Sequence, residues 1–250
     1  MSASDTIYAL ATPPGRGAVA VIRVSGRQAL AVAETLTDRH SWPARQAQLA
    51  RVRDPVSRET IDTALVVPFH APNSFTGETV VEYHLHGGSA VVDTMLDVLG
   101  RQARYRCAEP GEFTRRAFEH GKLDLTEAEA VADLVNAETA LQRAQALDQL
   151  SGRLSDLYSD WAERLKHNLA WLEAHLDFPD EDLPGDLLAG VIPRIDKLRS
   201  EITDHLADNR RGERLRDGIQ VAIIGAPNAG KSALINALAR RDVAIVTEHA

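Results

Sequence analysis

Only one cysteine, Cys107, occurs in the chain, so no internal disulfide can brace it, and that count fits a reducing compartment. No Cys or His motif surrounds Cys107, which is expected to be a small buried apolar residue rather than a nucleophile. Leader features are also scarce: the opening MSASDTIYALATPPGRG has neither a basic start nor a long apolar run. No window reaches the apolar length of a membrane span. A cytoplasmic protein without a membrane partner is the expectation. Clustered positive charge is missing too. A net charge of -8 argues against general nucleic-acid binding, which needs grouped Lys and Arg against phosphates. The run Arg210, Arg211, Arg214 and Arg216 is diluted by Asp208, Glu213 and Asp217 and reads as a solvated connector. What is present is ordinary for a globular protein: 250 residues, 44% apolar and 26% charged, enough for one or two domains with proper cores.

Three textures follow one another. Over residues 1–120, short runs rich in Val, Ile and Ala at 7–11, 18–24, 64–69 and 80–86 are bounded by Gly, Pro, Asn or Ser and read as strands. Between them, 27–37 and 90–101 carry apolar residues at helical spacing, the second as Val91, Met95, Leu96 and Leu99. This is a mixed α+β domain. From Leu147 the pattern changes to Leu150, Leu154, Leu157, Trp161, Leu165, Leu169, Leu172 and Leu176, one continuous stripe on a long helix. Such a stripe calls for partner helices. Phe178-Pro179-Asp180 is expected to stop it, Pro184-Gly185 to turn the chain, and Val191, Ile195, Leu198, Ile202 and Leu206 to line a second amphipathic helix. At Gly218 the texture shifts again, to a buried strand over 219–225, a glycine loop, a helix over 232–240 and a further strand over 243–246.

The glycine loop carries the strongest chemistry. GAPNAGKS at 225–232 meets the phosphate-loop pattern through Gly225, Gly230, Lys231 and Ser232. Glycines let backbone N–H groups curl around phosphates with no Cβ in the way. Lys231 is expected to reach the β- and γ-phosphates, and the Ser232 hydroxyl to take a place on Mg²⁺. The helix that opens there turns its positive end toward the anion. An apolar run before the loop and an amphipathic one after it favour a true phosphate loop over an incidental turn. GTP and ATP stay undistinguished by these residues.

With this loop behind a mixed domain and a helical stretch, the chain resembles the MnmE (TrmE) family of tRNA modification GTPases. The resemblance runs through DTIYALATPPGRGAVAVIRVSG at 5–26, PNSFTGE at 72–78, HGG at 86–88, PGEFTRRAF at 110–118, KLDLTEAEAVADLV at 122–135, DFPDED at 177–182 and GAPNAGKSALINAL at 225–238. It implies a multidomain fold. An α+β tetrahydrofolate-binding and dimerisation domain spans 1–120, the first part of an α-helical domain spans 121–217, and 218–250 start a GTPase domain of the α/β P-loop type. The chain is then the N-terminal part of a family member, without the switch threonines, the D-x-x-G segment and the guanine-reading N-K-x-D.

The activity implied is a potassium-activated GTPase acting in modification of carbon 5 of the wobble uridine of tRNA. A tetrahydrofolate derivative (5-formyl or 5,10-methylene) is the one-carbon donor or ligand. An FAD-dependent MnmG-type subunit is the partner, in a hetero-oligomer built on a homodimer. By position, the folate contacts fall on Arg23, Glu82 and Lys122. A pterin offers donors to a carboxylate such as Glu82, while Arg23 and Lys122 suit its oxygens. Nucleotide contacts fall on Gly225, Asn228, Ala229, Gly230, Lys231 and Ser232. Asn228, Thr247 and His249 fall at the potassium site, His249 through its backbone, where the family carries an aliphatic residue. By this reading the 250 residues alone do not hydrolyse GTP, and the alternative for them is a non-catalytic folate-binding and dimerisation module.

Other residues have plainer readings. Glu82, His84 and His86 alternate along one strand and share a face. A metal there is a minor reading beside ligand-pocket or core histidines, since a third or fourth ligand is usually needed. Asp180, Glu181 and Asp182 read as an acidic helix end, and Trp161 and Trp171 as packing residues rather than a base-stacking platform.

Overall fold

A computed structural model of the chain describes residues 5–177, 187–207, 222–226 and 229–239. It contains strands β1 (Thr6–Leu10), β2 (Gly17–Ser25), β3 (Gln48–Arg53), β4 (Thr60–Phe69), β5 (Val80–Gly87) and β6 (Tyr105–Cys107). Its helices are α1 (Ala29–Thr37), α2 (Ser89–Gly100), α3 (Glu112–Glu119), α4 (Leu125–Asn136), α5 (Ala140–Leu150), α6 (Arg153–Asp177), α7 (Leu187–Leu206) and α8 (Lys231–Ala239). The chain divides into two compact units, Met1–Glu138 with Arg143–His167, and Thr139–Gln142 with Asn168–Ala250.

The first unit is built on a six-stranded sheet of order β3-β4-β5-β2-β1-β6. Every pairing is antiparallel except that of β1 with β6. Alternation sets the register. In β2 and β5, Ala20, Ile22 and Val24 lie opposite Leu85, Tyr83 and Val81, and all six are buried. Ala50 and Val52 of β3 and Ala64 and Val66 of β4 continue this face, and α1 and α2 cover it with Val32, Leu36, Met95 and Leu99. Each Val, Leu, Ile or Met side chain among them contributes about 1.5–3 kcal/mol over leaving it in water. A slip by one residue would turn the whole set outward. The register is therefore held, and with it which side chains point to the opposite face.

The strands and helices expected between 7 and 101 are present, and β3 and β6 are additional. Cys107 is a correction: it is the last residue of the short edge strand β6, beyond the packed Tyr105, and is exposed. The stripe from Leu147 is a second correction. Ser151 and Gly152, with Gly152 at φ 86°, separate α5 from α6, because that backbone conformation cannot continue a right-handed helix. In α6, Leu165 is 49% exposed in the first unit, and Leu169 and Leu176 are 54% and 75% exposed in the second. Trp161 is half-buried and packs tilted against Tyr158 at 5.6 Å between ring centroids.

The second helix of the expected pair is α7, with Val191 and Leu198 buried and Leu206 exposed. Residues 222–226 form no strand and Ile224 is 93% exposed. A strand needs a neighbour for its N–H and C=O groups, and no described strand pairs with this segment. The rest of that expected strand, the turn at Pro184-Gly185, the carboxylates Asp180, Glu181 and Asp182, and the strand over 243–246 lie outside the described residues.

Candidate functional site

Opposite the packed face, β2 and β5 place Arg23 across from Glu82 and Val21 across from His84. Arg23 Nε donates to Glu82 Oε1 at 2.9 Å, and Nη2 lies 2.8 Å from the same oxygen. His84 Nε2 is 3.5 Å from the other oxygen, Oε2. Two aromatic rings from separate segments flank the guanidinium. Phe75, in the loop before β5, is 5.7 Å from it and Phe113 of α3 is 5.6 Å, both within cation–π range. Arg23 is thus held by a carboxylate and two rings.

Lys122 is placed by the way α3 ends. Gly121 has φ 64°, its N–H donates to the Phe118 carbonyl at 2.9 Å, and the Lys122 N–H donates to the Ala117 carbonyl at 2.8 Å. This pair of bonds is a Schellman closure, which fixes the backbone immediately after a helix. The turn lies against Gly77, two residues from Phe75: a Cβ built on Gly77 would meet Lys122 Cγ at 3.4 Å. Lys122 itself is exposed.

Helix α3 is in turn bolted to the sheet by buried charge. Arg116 Nη1 donates to Glu78 Oε2 at 2.9 Å and to the Asp5 carbonyl at 3.0 Å, and its Nη2 donates to Glu112 Oε1 at 3.1 Å. Arg106 grips Glu112 with both terminal nitrogens, at 2.8 and 2.6 Å. These Arg106 hydrogen bonds bring the Glu112 carboxyl down from 4.5 to about 2, against burial that pushes it up, with help from the Glu109 N–H and Arg116. Ser25 Oγ donates to Glu78 Oε2 at 2.9 Å and shares a 2.7 Å hydrogen bond with Thr76 Oγ1. One network therefore joins β2 two residues beyond Arg23, the Phe75 loop and α3. Phe75, Phe113, Glu78, Arg116 and Glu112 join the site only in the structure. Their signal was membership in the blocks PNSFTGE and PGEFTRRAF.

Farther along β5, His86 Nδ1 is 2.8 Å from Asp62 Oδ1, and the His86 backbone N–H donates to Asp62 Oδ2 at 2.8 Å. Burial pushes Asp62 up, but these bonds and the Thr63 N–H hold it below its ordinary value. Asp62 was not singled out in sequence. Among the described residues no group of three or more His, Cys, Asp or Glu is arranged to hold a metal ion. No described helix is long and apolar enough to cross a membrane.

The glycine loop lies in the second unit. Gly230 has φ 80°, and α8 begins at Lys231 and continues through Ser232. Lys231 Nζ donates to the carbonyls of Gly225 at 3.0 Å and Ala226 at 2.7 Å, so the ammonium spans the loop. Gly225, Ala229, Gly230, Lys231 and Ser232 are brought together, while Asn228, Thr247 and His249 lie outside the described residues.

Two family models match the chain: "GTP-binding protein TrmE N-terminus" over residues 6–122 and "MnmE helical domain" over residues 125–248. The chain belongs to the MnmE (TrmE) family. Its fold is the corresponding one, an N-terminal TrmE-type α+β domain followed by a helical domain. Among curated relatives, the tRNA modification GTPase MnmE of Parvibaculum lavamentivorans is 56% identical over 98% of this chain and 56% of its own length. Its counterpart from Phenylobacterium zucineum is 52% identical over 98% of this chain and 54% of its own length. That of Rickettsia akari is 46% identical over 97% of this chain and 55% of its own length. The chain thus spans a little over half the length of these relatives.

Proposed function

We propose that this chain provides the folate-binding and nucleotide-binding parts of a GTPase that modifies carbon 5 of the wobble uridine in tRNA. The observation that carries the reading is Arg23 bonded to Glu82 across β2 and β5, in a chain whose relatives are named tRNA modification GTPases. The donor set suits a reduced folate. Glu82 Oε2 keeps acceptor capacity for pterin N–H groups, since both Arg23 nitrogens use Oε1. Phe75 and Phe113 supply apolar walls, and Lys122 is an exposed cation for a carbonyl or carboxylate oxygen. A bound 5-formyl- or 5,10-methylene-tetrahydrofolate would supply the one-carbon unit. Glu82, Arg23 and Lys122 bind and orient it.

In the same reading, residues 1–120 bind folate and form a homodimer, 121–217 belong to the helical domain, and 218–250 belong to the GTPase domain. The loop suits a polyphosphate: Gly225 and Gly230 offer backbone N–H groups, Ala229 keeps the loop turned through its N–H to the Ala226 carbonyl, and Lys231 and Ser232 stand at the start of α8. Asn228, Thr247 and His249 would hold K⁺, and Ser232 would hold Mg²⁺. An FAD-dependent subunit of the MnmG type and tRNA are the partners, in the cytoplasm. For the 250 residues by themselves, a folate-binding and dimerising module without GTP turnover is the second reading. It is favoured by the absence of strand at 222–226.

Calorimetric titration with 5-formyltetrahydrofolate tests the folate reading. Saturable binding that Arg23→Ala and Glu82→Ala each abolish is expected. Equal binding by parent and both variants, or no binding by a folded dimer, would overturn it. Potassium-stimulated GTP turnover by the 250 residues would overturn the second reading.

A further inference from the structure

Gly77 sits where the loop before β5 meets the turn after α3. Its φ is 78°, and a Cβ there would lie 2.8 Å from His120 Cβ, 3.2 Å from His120 Cγ and 3.4 Å from Lys122 Cγ. The atom met first is a Cβ, which moves only with its backbone. His120 is itself fixed, with its N–H donating to the Arg116 carbonyl at 3.0 Å and Nδ1 at 2.8 Å from the same oxygen.

The loop side cannot give instead. Thr76 is tied to Ser25, Glu78 is tied to Ser25 and Arg116, and the Ser74 hydroxyl donates to the Glu78 carbonyl. Ser25 and Thr76 are fully buried. With the loop side tied down, an added methyl pushes on the turn, whose Schellman closure moves His120, Gly121 and Lys122 together, and Lys122 carries an exposed side chain.

We propose that Gly77 is a positioning residue of the ligand site, acting through Lys122: its missing side chain lets the 120–122 turn seat against the 72–79 loop and sets where the ammonium stands. The proposal rests on the reading of Lys122 as a ligand contact. It adds that the TG pair of PNSFTGE serves that contact from across the gap, although Gly77 offers the ligand no side chain.

A double-mutant cycle tests it, because a residue that works only through another has no effect once the other is gone. The 250-residue chain, Gly77→Ala, Lys122→Ala and the double variant are titrated with 5-formyltetrahydrofolate, with thermal unfolding followed in parallel. Lys122→Ala is expected to weaken binding at least about tenfold, as loss of a charge-assisted contact does. Gly77→Ala should weaken it by about tenfold in the parent and by less than about twofold in the Lys122→Ala background. An equal loss in both backgrounds, or parental binding by Gly77→Ala, overturns the proposal and leaves the Lys122 reading standing. Unchanged binding by Lys122→Ala overturns that reading, and the proposal with it. Should Gly77→Ala not fold, the combination with His120→Gly keeps the added methyl and removes the atom it meets. That combination is expected to fold and to bind within about threefold of the parent; if it folds but binds no better than Lys122→Ala, the proposal is wrong.

Discussion

Arg23 commits two nitrogens, Nε and Nη2, to one oxygen of Glu82, and so leaves the second oxygen facing His84 Nε2 at 3.5 Å. The pair is neither a surface ion pair nor a fully buried one, with 29% and 17% of the two side chains exposed. Its partners are all on the polar face of a sheet whose other face is packed against α1 and α2. The core therefore fixes the register, the register fixes Arg23 opposite Glu82, and the pair fixes the acceptor left available to a ligand.

Removing the cation should be felt in both stability and binding. Arg23→Ala strips Glu82 of its main partner while leaving it half-buried, and is expected to cost about 1–2 kcal/mol in urea unfolding. Arg23→Lys keeps the charge but loses the two-nitrogen grip and the flat group between Phe75 and Phe113, and should fall between parent and Ala. Unfolding midpoints of both variants equal to the parent's would mean that the pair holds nothing in place.

The start of α4 offers a local test. Asp124 Oδ1 accepts from the Glu127 N–H at 2.8 Å, and Glu127 Oε2 accepts from the Asp124 N–H at 2.8 Å, a capping box. Asp124→Ala should destabilise the chain by about 1 kcal/mol, while Asp124→Asn, which can still accept, should cost a few tenths. Thermal unfolding of the two variants measures this, and an equal loss in both would show that charge rather than capping matters.

Much of this architecture was legible in the residues, and the gaps have physical reasons. Strands β2, β4 and β5 are rich in Val and other apolar residues between Gly, Pro, Asn or Ser, and declare themselves. Strand β3, QLARVR, buries only Ala50 and Val52 beside two arginines, so its pattern is weak without its neighbour. Arg23 and Glu82 entered by resemblance, whereas their contact is a matter of register between segments far apart in the chain. Phe75 and Phe113 were invisible as site residues, because a ring that faces a cation across a loop has the same local sequence as one in a core. The continuous stripe through Leu150 and Leu154 ran past Gly152, since side-chain spacing does not register a single left-handed residue. Residues 219–225 read as a strand on composition alone, yet strands exist only in pairs, and the described part, 222–225, forms none.

Exposure of Cys107 gives a simple chemical check. The thiol ends β6 at the sheet edge and faces solvent. In the folded chain the thiol should react with an aromatic disulfide reagent about as fast as in urea, because it is already open to the reagent. Protection that is lifted only by denaturant would return Cys107 to the interior.

Glu112 makes the sharpest prediction about pH. Its side chain is 2% exposed and bonded to Arg106 and Arg116, which lowers its folded pKa from 4.5 to about 2. A carboxyl depressed on folding contributes stability that is complete above its unfolded pKa. That contribution is lost as pH falls from about 4.5 through about 2. For a shift of this size it is roughly 3 kcal/mol near neutrality. Glu112→Gln keeps the shape, removes the charge and leaves two guanidinium groups short of a carboxylate. The variant should therefore be less stable than the parent by roughly 3 kcal/mol at about pH 7, and the gap should close as both are titrated toward pH ~2. Asp38, Asp54, Asp62 and Asp124 are also lowered, but they titrate in both proteins and cancel in the difference. Urea midpoints across this range measure it. A gap that stays constant with pH would assign the loss to packing, and Glu112 would then be a shape in the network rather than the charge that holds α3 to the sheet.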